Sequence, residues 1–357
     1  MMKSKYFVFL ISCCIFVIIF ENFKYILEYA PSKQQNVKVD VQLKSNSNQD
    51  LRQWMNEKEN NYQKDKERIQ SVCKKYNVKH KQLIDSKPIL VDRNHGIGYC
   101  HHLKVGSTTW RYHMRNLLPP DIFEKLAKKY NLTAEDTVLK WVVPMNPYYS
   151  ISQIIVPSSS SKRISPYSIN NFLSSNQILS FSFVRHPFER LVSAYNDKFV
   201  NQRYKWLRIF KWWFVGKEVS FSSFVDLVLY QYRKGCNPNS TPASRIRTNL
   251  ANDNCEHKVN LHWRPFAFKC SYCDINYDLI GRMETWNDDM NYIIQKRGLE
   301  KLLPIQKAKI ARNASGLGTK EMTKEYFKTL SQEQKEDLYH MFRLDFEMFN
   351  YDPKIYF

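Results

Sequence analysis

Acidic residues are scarce in this 357-residue chain: 34 Asp and Glu stand against 54 Lys and Arg, a formal net charge of +20 at pH 7. A surplus of that size points to a polyanionic partner. Nucleic acid is the usual partner of such charge, but no nucleic-acid-binding motif is present to select it. No internal repeat is present either, so the length reads as one large domain or two modest ones, with ample material for a core. A Walker A sequence is also missing, because that motif sets its lysine after a second glycine. In Leu103-Lys104-Val105-Gly106-Ser107-Thr108-Thr109-Trp110 the lysine precedes the only glycine of the loop. An ATPase or GTPase thereby loses its main support.

What that loop does have is a strand before it and a helix after it. Ile97 to Leu103 is a short apolar and aromatic run of strand character, and Trp110, Met114, Leu117 and Leu118 then recur at helical spacing. The first N–H groups of a helix have no intrahelical acceptor. With Lys104 beside them and the hydroxyls of Ser107, Thr108 and Thr109 at hand, they suit a phosphate group. A lysine next to a Gly-Ser-Thr turn is equally the mark of an ordinary capped turn. A second stretch repeats the pattern. Ile178 to Val184 is a near-continuous apolar run, Pro187 stands where a first helical residue belongs, and Phe188, Leu191, Val192, Tyr195 and Phe199 follow at helical spacing. Arg185 sits at the junction, where a planar guanidinium can grip a phosphate with two hydrogen bonds, and Ser193 lies two turns on.

Together the two stretches resemble the 5′-phosphosulfate-binding and 3′-phosphate-binding motifs of the Golgi carbohydrate sulfotransferases, in the branch of the chondroitin and dermatan 4-O-sulfotransferases and the HNK-1 sulfotransferase. The family's first motif reads close to Pro-Lys-Val-Ala-Cys-Thr-Asn-Trp, and Lys104, Val105, Thr108 and Trp110 match it in register. The second, near Phe-Val-Arg-Glu-Pro-Phe-Glu-Arg-Leu-Val-Ser-Ala, matches Phe183 to Ala194 with His186 in place of the acidic residue. The likeness runs from about Val72 through His262-Trp263, Cys270-Ser271-Tyr272-Cys273 and Glu284-Thr285 to Tyr351. It implies an α/β, P-loop-like sulfotransferase fold, a central parallel sheet flanked by helices, following an N-terminal transmembrane helix. It also implies that 3′-phosphoadenosine-5′-phosphosulfate gives its sulfo group to a sugar hydroxyl. The 4-OH of N-acetylgalactosamine in chondroitin- or dermatan-type glycans is the expected acceptor, and no metal is required. Lys104 to Trp110, that is Lys104, Val105, Gly106, Ser107, Thr108, Thr109 and Trp110, are expected at the 5′ end of the donor, and Arg185 and Ser193 at its 3′-phosphate. Lys104 is expected to neutralise the leaving oxygen and His262 to serve as base. The alternatives are a uronosyl 2-O-sulfotransferase and a non-catalytic glycosaminoglycan-binding membrane protein. A phosphorylated nucleotide with an acidic glycosaminoglycan accounts for the positive charge as well as nucleic acid does.

Tyr6 to Phe20 carries no charge and follows Lys3 and Lys5, with Phe23, Tyr25, Ile26 and Leu27 extending it at the interface. No small-residue cleavage pattern follows it, so an uncleaved signal-anchor is expected over a cleaved signal peptide. Positive residues before a span keep the N-terminus cytosolic. The expected layout is a cytosolic tail at 1–5, a transmembrane anchor at 6–27, a polar stem at 28–70 and a luminal domain at 71–357 of a single-pass type II Golgi membrane protein, with a polar helix from Asp50. Cys73, Cys100, Cys236, Cys255, Cys270 and Cys273 are an even set, as disulfides in an oxidising compartment require, with pairing open. Cys270 and Cys273 with His257 and His262 form a weaker zinc alternative. Sequons begin at Asn131, Asn239 and Asn313.

The segment Arg203 to Phe214 interleaves basic and aromatic residues. It reads either as a surface for an anionic sugar chain or as an amphipathic helix laid on the core or a membrane. His101 and His102 are expected on opposite faces of a strand end, His262 is otherwise a hydrogen-bonded core histidine, and the role of His186 is open. Ser331 to Gln334 is a capping-box signature opening a structural helix.

Overall fold

The computed structural model describes residues 48–78, 80–86, 88–130, 149–155, 163–216, 218–236, 259–303 and 318–357. The apolar stretch 6–27, the three sequons, Cys255, His257 and the side chain of Cys236 lie outside them. Among the described residues no helix is long and apolar enough to cross a membrane.

One compact unit runs from Met55 to Phe357. Its first element is the part of α1 (Asn48–Lys75) from Met55 onward, and α1 is the polar helix expected from Asp50. The boundary expected at 70/71 moves upstream, because Tyr62, Ile69, Val72 and Cys73 fall on one side of this helix and are buried. Arg282 Nη2 donates to both carboxylate oxygens of Asp65, at 2.8 and 2.9 Å, and Tyr62 donates to Asp289 at 2.7 Å. The second half of the expected stem is therefore part of the domain.

Four strands make the central sheet: β2 (Ile89–Asp92), β3 (Ile97–Cys100), β5 (Leu179–Val184) and β6 (Leu279–Arg282), in the order β2-β3-β5-β6. β3, β5 and β6 are parallel, whereas β2 pairs antiparallel with β3, so the expected parallel sheet is mixed. The short β1 (Ile84–Asp85) pairs instead with β4 (Arg163–Ile164). All six residues of β5 are buried, as they must be in a strand covered on both faces. On one face Trp110 packs on Phe181 at 4.5 Å and Trp286 on Phe183 at 4.6 Å between ring centres. Those rings come from α2 (Ser107–Asn116) and, further along the chain, the helix Trp286–Arg297. On the other face Cys100 and Ser182 meet Cys270 and Tyr272.

After α2 come α3 (Pro120–Tyr130), α4 (Ile151–Ile155), α5 (Pro166–Ser175) and, directly after β5, α6 (Pro187–Tyr195). A π-helical turn, Asn196–Val200, leads to α7 (Arg203–Ile209), α8 (Lys211–Phe214) and α9 (Phe221–Cys236). The helix after β6 is α10, followed by α11 (Thr319–Lys328) and α12 (Gln332–Phe349). Ser331 and Gln334 cap α12 reciprocally, as the sequence signature predicts. An aromatic core joins α6, α9, α11 and α12, with Phe188 against Phe327 at 4.6 Å and Phe346 at 4.9 Å.

Cys73 is bonded to Cys273 and Cys100 to Cys270. The zinc alternative is thereby closed, since both proposed thiolate ligands are disulfide sulfurs.

Candidate active site

In β3 and β5 the pairing sets Cys100 beside Ser182. The chain leaves both strands at the same edge, β3 four residues before Lys104 and β5 one residue before Arg185, so the two loops emerge side by side at the carboxyl ends of adjacent parallel strands. That edge is where open α/β sheets hold ligands. The first loop is tightly wound. Lys104 has φ 71° and Gly106 φ 72°, and Gly106 is the N-cap of α2. A left-handed lysine costs energy that ordinary turns avoid, and such outliers gather at functional sites. Ser107, Thr108 and Thr109 open the helix with free-end N–H groups, whereas the N–H of Trp110 already donates to the Gly106 carbonyl at 3.1 Å.

Trp110 does not join this cradle. Its side chain is fully buried against Tyr99 and Phe181, so the expected donor contact is corrected to a core position. Val105 is likewise fully buried and offers the site only its backbone. Ser107 is buried, Thr109 half-buried and Thr108 exposed.

Gly106 also lets the loop approach α10. A β-carbon there would lie 2.4 Å from the Trp286 ring. Gly106→Ala is expected to cost about 1–3 kcal/mol through the positive φ and this clash. Urea unfolding measures it, and an unchanged midpoint would show that the ring yields freely.

Arg185 follows β5 with its side chain mostly buried. Its Nε lies 3.5 Å from Glu189 and makes no hydrogen bond. His186 is the N-cap of α6: Nδ1 accepts from the Phe188 N–H at 3.3 Å and Nε2 donates to the Asp352 carbonyl at 3.0 Å. The position left open by the sequence is thus a cap that ties α6 to the C-terminal turn. Ser193 lies half-buried on α6.

Lys104 reaches across to Asp197 in the π-helical turn, Nζ to Oδ2 at 3.0 Å. Lys198 lies 2.9 Å from the same oxygen and Gln202 donates to Oδ1 at 2.8 Å. Burial would raise the Asp197 pKa, but the hydrogen bonds and charges of Lys198 and Lys104 hold it at about 2. For Lys104 burial lowers the pKa, Asp197 opposes that, and Lys198 and Arg185 add to it. Lys104, Lys198 and Arg185 are therefore one concentrated cationic field.

His262 stands in the same field. Its backbone N–H and ring Nδ1 both meet Asn260 Oδ1, at 3.0 and 2.8 Å. A backbone N–H can only donate, so that amide atom is an acceptor and Nδ1 carries the ring proton. Nε2 then bears the lone pair. Burial, then Lys198, Lys104 and Arg190, lower the His262 pKa to about 3, so the ring is neutral near neutral pH. His262 is thus a half-buried, oriented ring whose edge meets Trp206 at 5.1 Å. His101 is half-buried and donates through Nδ1 to the Pro88 carbonyl at 3.0 Å, while His102 is fully buried against Tyr272.

Arg190, which sequence reasoning left unassigned, holds the pieces together. Fully buried in α6, it donates through Nε to the Leu103 carbonyl at 3.1 Å, through Nη1 to Arg264 at 2.6 Å and through Nη2 to Leu261 at 3.2 Å. Its guanidinium lies 4.3 Å over the Phe266 ring. One side chain thus bridges the Lys104 loop and the loop that carries His262. Its signal in the sequence was an arginine at a spacing that turns it inward on α6.

The segment Arg203 to Phe214 divides by face. Trp206, Phe210 and Phe214 enter the aromatic core, whereas Arg203, Tyr204, Lys205, Arg208, Lys211 and Trp212 are exposed. The inward half is core packing, and the basic, aromatic half faces solvent.

A strand–loop–helix whose first N–H groups and lysine suit an anion, beside an arginine-bearing neighbour, fits a protein that handles a phosphorylated donor, and the family comparison is specific. The model of the sulfotransferase family matches residues 87–352, and the chain belongs to that family. Its relatives place it among the carbohydrate sulfotransferases, enzymes that draw on 3′-phosphoadenosine-5′-phosphosulfate. Carbohydrate sulfotransferase 11 of Mus musculus is 32% identical over 278 residues, 76% of this chain and 69% of that protein. Carbohydrate sulfotransferase 10 of Xenopus laevis is 26% identical over 302 residues, 80% of this chain and 74% of its own length. Carbohydrate sulfotransferase 9 of Homo sapiens is 25% identical over 303 residues, 79% of this chain and 58% of that protein. No solved structure matches the chain. Among the described residues no cluster of side chains is arranged to hold a metal ion.

Proposed function

We propose that the chain transfers a sulfo group from 3′-phosphoadenosine-5′-phosphosulfate to the 4-OH of N-acetylgalactosamine in a chondroitin- or dermatan-type glycan. The observation that carries this reading is the convergence of Lys104, Arg185 and the neutral, oriented His262 at one edge of the sheet. Sulfo transfer is an in-line displacement in which the protein places the reactants and stabilises the charge that develops on the leaving phosphate. The free N–H groups of Ser107, Thr108 and Thr109, with the hydroxyls of Ser107 and Thr108, suit the 5′ end of the donor. Lys104 neutralises the oxygen that bridges phosphorus and sulfur. Arg185 and Ser193 take the 3′-phosphate.

The acceptor hydroxyl bonds to sulfur as the sulfur–bridging oxygen bond breaks. His262 Nε2 takes the hydroxyl proton, and the bond of Nδ1 to Asn260 fixes the ring for it. Burial lowers the His262 pKa first and the cations add to it; the anionic donor offsets the cations, which moves His262 toward useful basicity. Residues 6–27 anchor the protein in the Golgi membrane with the domain in the lumen, a placement that the two disulfides favour. Transfer of radiolabelled sulfate from the donor to a panel of desulfated glycosaminoglycans tests the reading. Label on the 4-OH of N-acetylgalactosamine supports it, and label only on uronate 2-OH groups would replace it with a uronosyl 2-O-sulfotransferase.

The exposed face of α7 and α8 is assigned to the same acceptor. Replacing Arg203, Lys205, Arg208 and Lys211 by Ser is expected to raise the acceptor KM severalfold and flatten its salt dependence, with donor binding unchanged. Exposed cations act by screened, longer-range attraction. Acceptor kinetics unaltered at two salt concentrations would reject the assignment.

A further inference from the structure

Arg185 is mostly buried, yet its Nε is shut off from water without a hydrogen bond. The carboxylate beside it, Glu189 one turn along α6, keeps its Oε2 at 3.5 Å from that nitrogen, beyond ordinary hydrogen-bond length. Its other oxygen is taken. Oε1 accepts from the Tyr356 hydroxyl at 2.6 Å, a short bond of the charge-assisted kind.

Tyr356 is itself firmly placed. It closes the 3₁₀ turn Pro353–Tyr356, which opens on an Asp352 side chain that accepts from the Lys354 N–H at 2.9 Å. The tyrosine ring is buried, 4.9 Å from His186 and 5.7 Å from Phe327 between ring centres. The Asp352 carbonyl takes the His186 Nε2 bond, so this C-terminal turn meets the opening of α6 at two points, His186 and Glu189. Burial and Glu189 hold the Tyr356 hydroxyl above the ordinary phenol range, and it therefore remains a proton donor near neutral pH.

A carboxylate next to a guanidinium is drawn into a paired fork, and that pairing would occupy the N–H groups a phosphate needs. The Tyr356 bond opposes it. With Oε1 pinned on the phenol, Glu189 attracts the cation from 3.5 Å without taking up its Nε–H. We propose that Tyr356 is a positioning residue of the donor site, whose hydroxyl holds Glu189 off Arg185 and so keeps the guanidinium open for the 3′-phosphate. The inference rests on the assignment of that phosphate to Arg185. It makes the C-terminal turn, far along the chain from both loop motifs, part of the nucleotide site.

The test is calorimetry of 3′-phosphoadenosine-5′-phosphate on the full chain, with Tyr356→Phe made in the wild-type and in the Glu189→Gln background. Phenylalanine keeps the buried ring, so only the hydroxyl is lost. In the wild-type background Tyr356→Phe is expected to weaken product binding about tenfold, the low end of a lost charge-assisted contact. In the Glu189→Gln background the same change should alter affinity less than about twofold, because the amide has no charge to bring onto the arginine. A tyrosine that merely staples the turn would give equal losses in both backgrounds. That result, or a Tyr356→Phe affinity within about twofold of the wild type, would overturn the role of Tyr356 and leave Arg185 at the 3′-phosphate. Arg185→Ala in the same series serves as the control, and a wild-type affinity there would remove the premise and the inference with it.

Discussion

Lys104→Ala is expected to lose about 10²–10³ in turnover, the scale of a preorganised electrostatic contact that acts on charge developing in the transition state. The fold should survive. Asp197, left without Lys104, keeps Lys198 at 2.9 Å and Gln202 at 2.8 Å, so no buried charge is stranded. Relief of the left-handed φ at position 104 is not expected, because alanine meets the same steric limit there. Single-turnover rates with saturating donor separate chemistry from binding. A folded Lys104→Ala protein that turns over near the wild-type rate would remove Lys104 from the chemistry.

Arg185→Ala acts on binding. Both the donor and the desulfated product, 3′-phosphoadenosine-5′-phosphate, carry the 3′-phosphate, so both should bind about 10–100-fold more weakly, as expected for about 1.5–3 kcal/mol of charge-assisted hydrogen bonding. Glu189, the carboxylate 3.5 Å from Arg185, also accepts from Tyr356 at 2.6 Å and so retains a partner in the variant. Calorimetry on the product gives the answer without any turnover. Product affinity equal to wild type would move the 3′-phosphate elsewhere.

The strand–loop–helix pairs were legible because period and punctuation agree. Apolar runs end at Lys104 and Arg185, and Gly106 and Pro187 then open helices whose inward residues recur every three or four positions. The same periodicity hid the π-helical turn. Tyr195 and Phe199 continue the helical spacing of α6, so nothing marks Asn196–Val200 as the place where Asp197 meets Lys104. Trp110 misled in the opposite way: its helical spacing said core, and its match to the donor motif said site. Burial decided for the core. The contact of α1 with β6 depends on a partner far along the chain, which local pattern does not name, whereas the antiparallel β2 is the near arm of a hairpin closed by the four residues that lead to β3. Arg190 shows a further limit. An arginine reads as surface until the three carbonyls that satisfy it are folded around it.

The two disulfides also govern when the domain can close during synthesis. Cys73 and Cys100 emerge 200 and 170 residues ahead of their partners. Cys236 and Cys255 are made in the interval, before Cys270 and Cys273 exist. While the chain is still growing, every thiol that the early pair can meet is therefore a wrong one. Domain closure waits for translation to pass residue 273, and the yield of folded protein should depend on an isomerase able to undo early pairings.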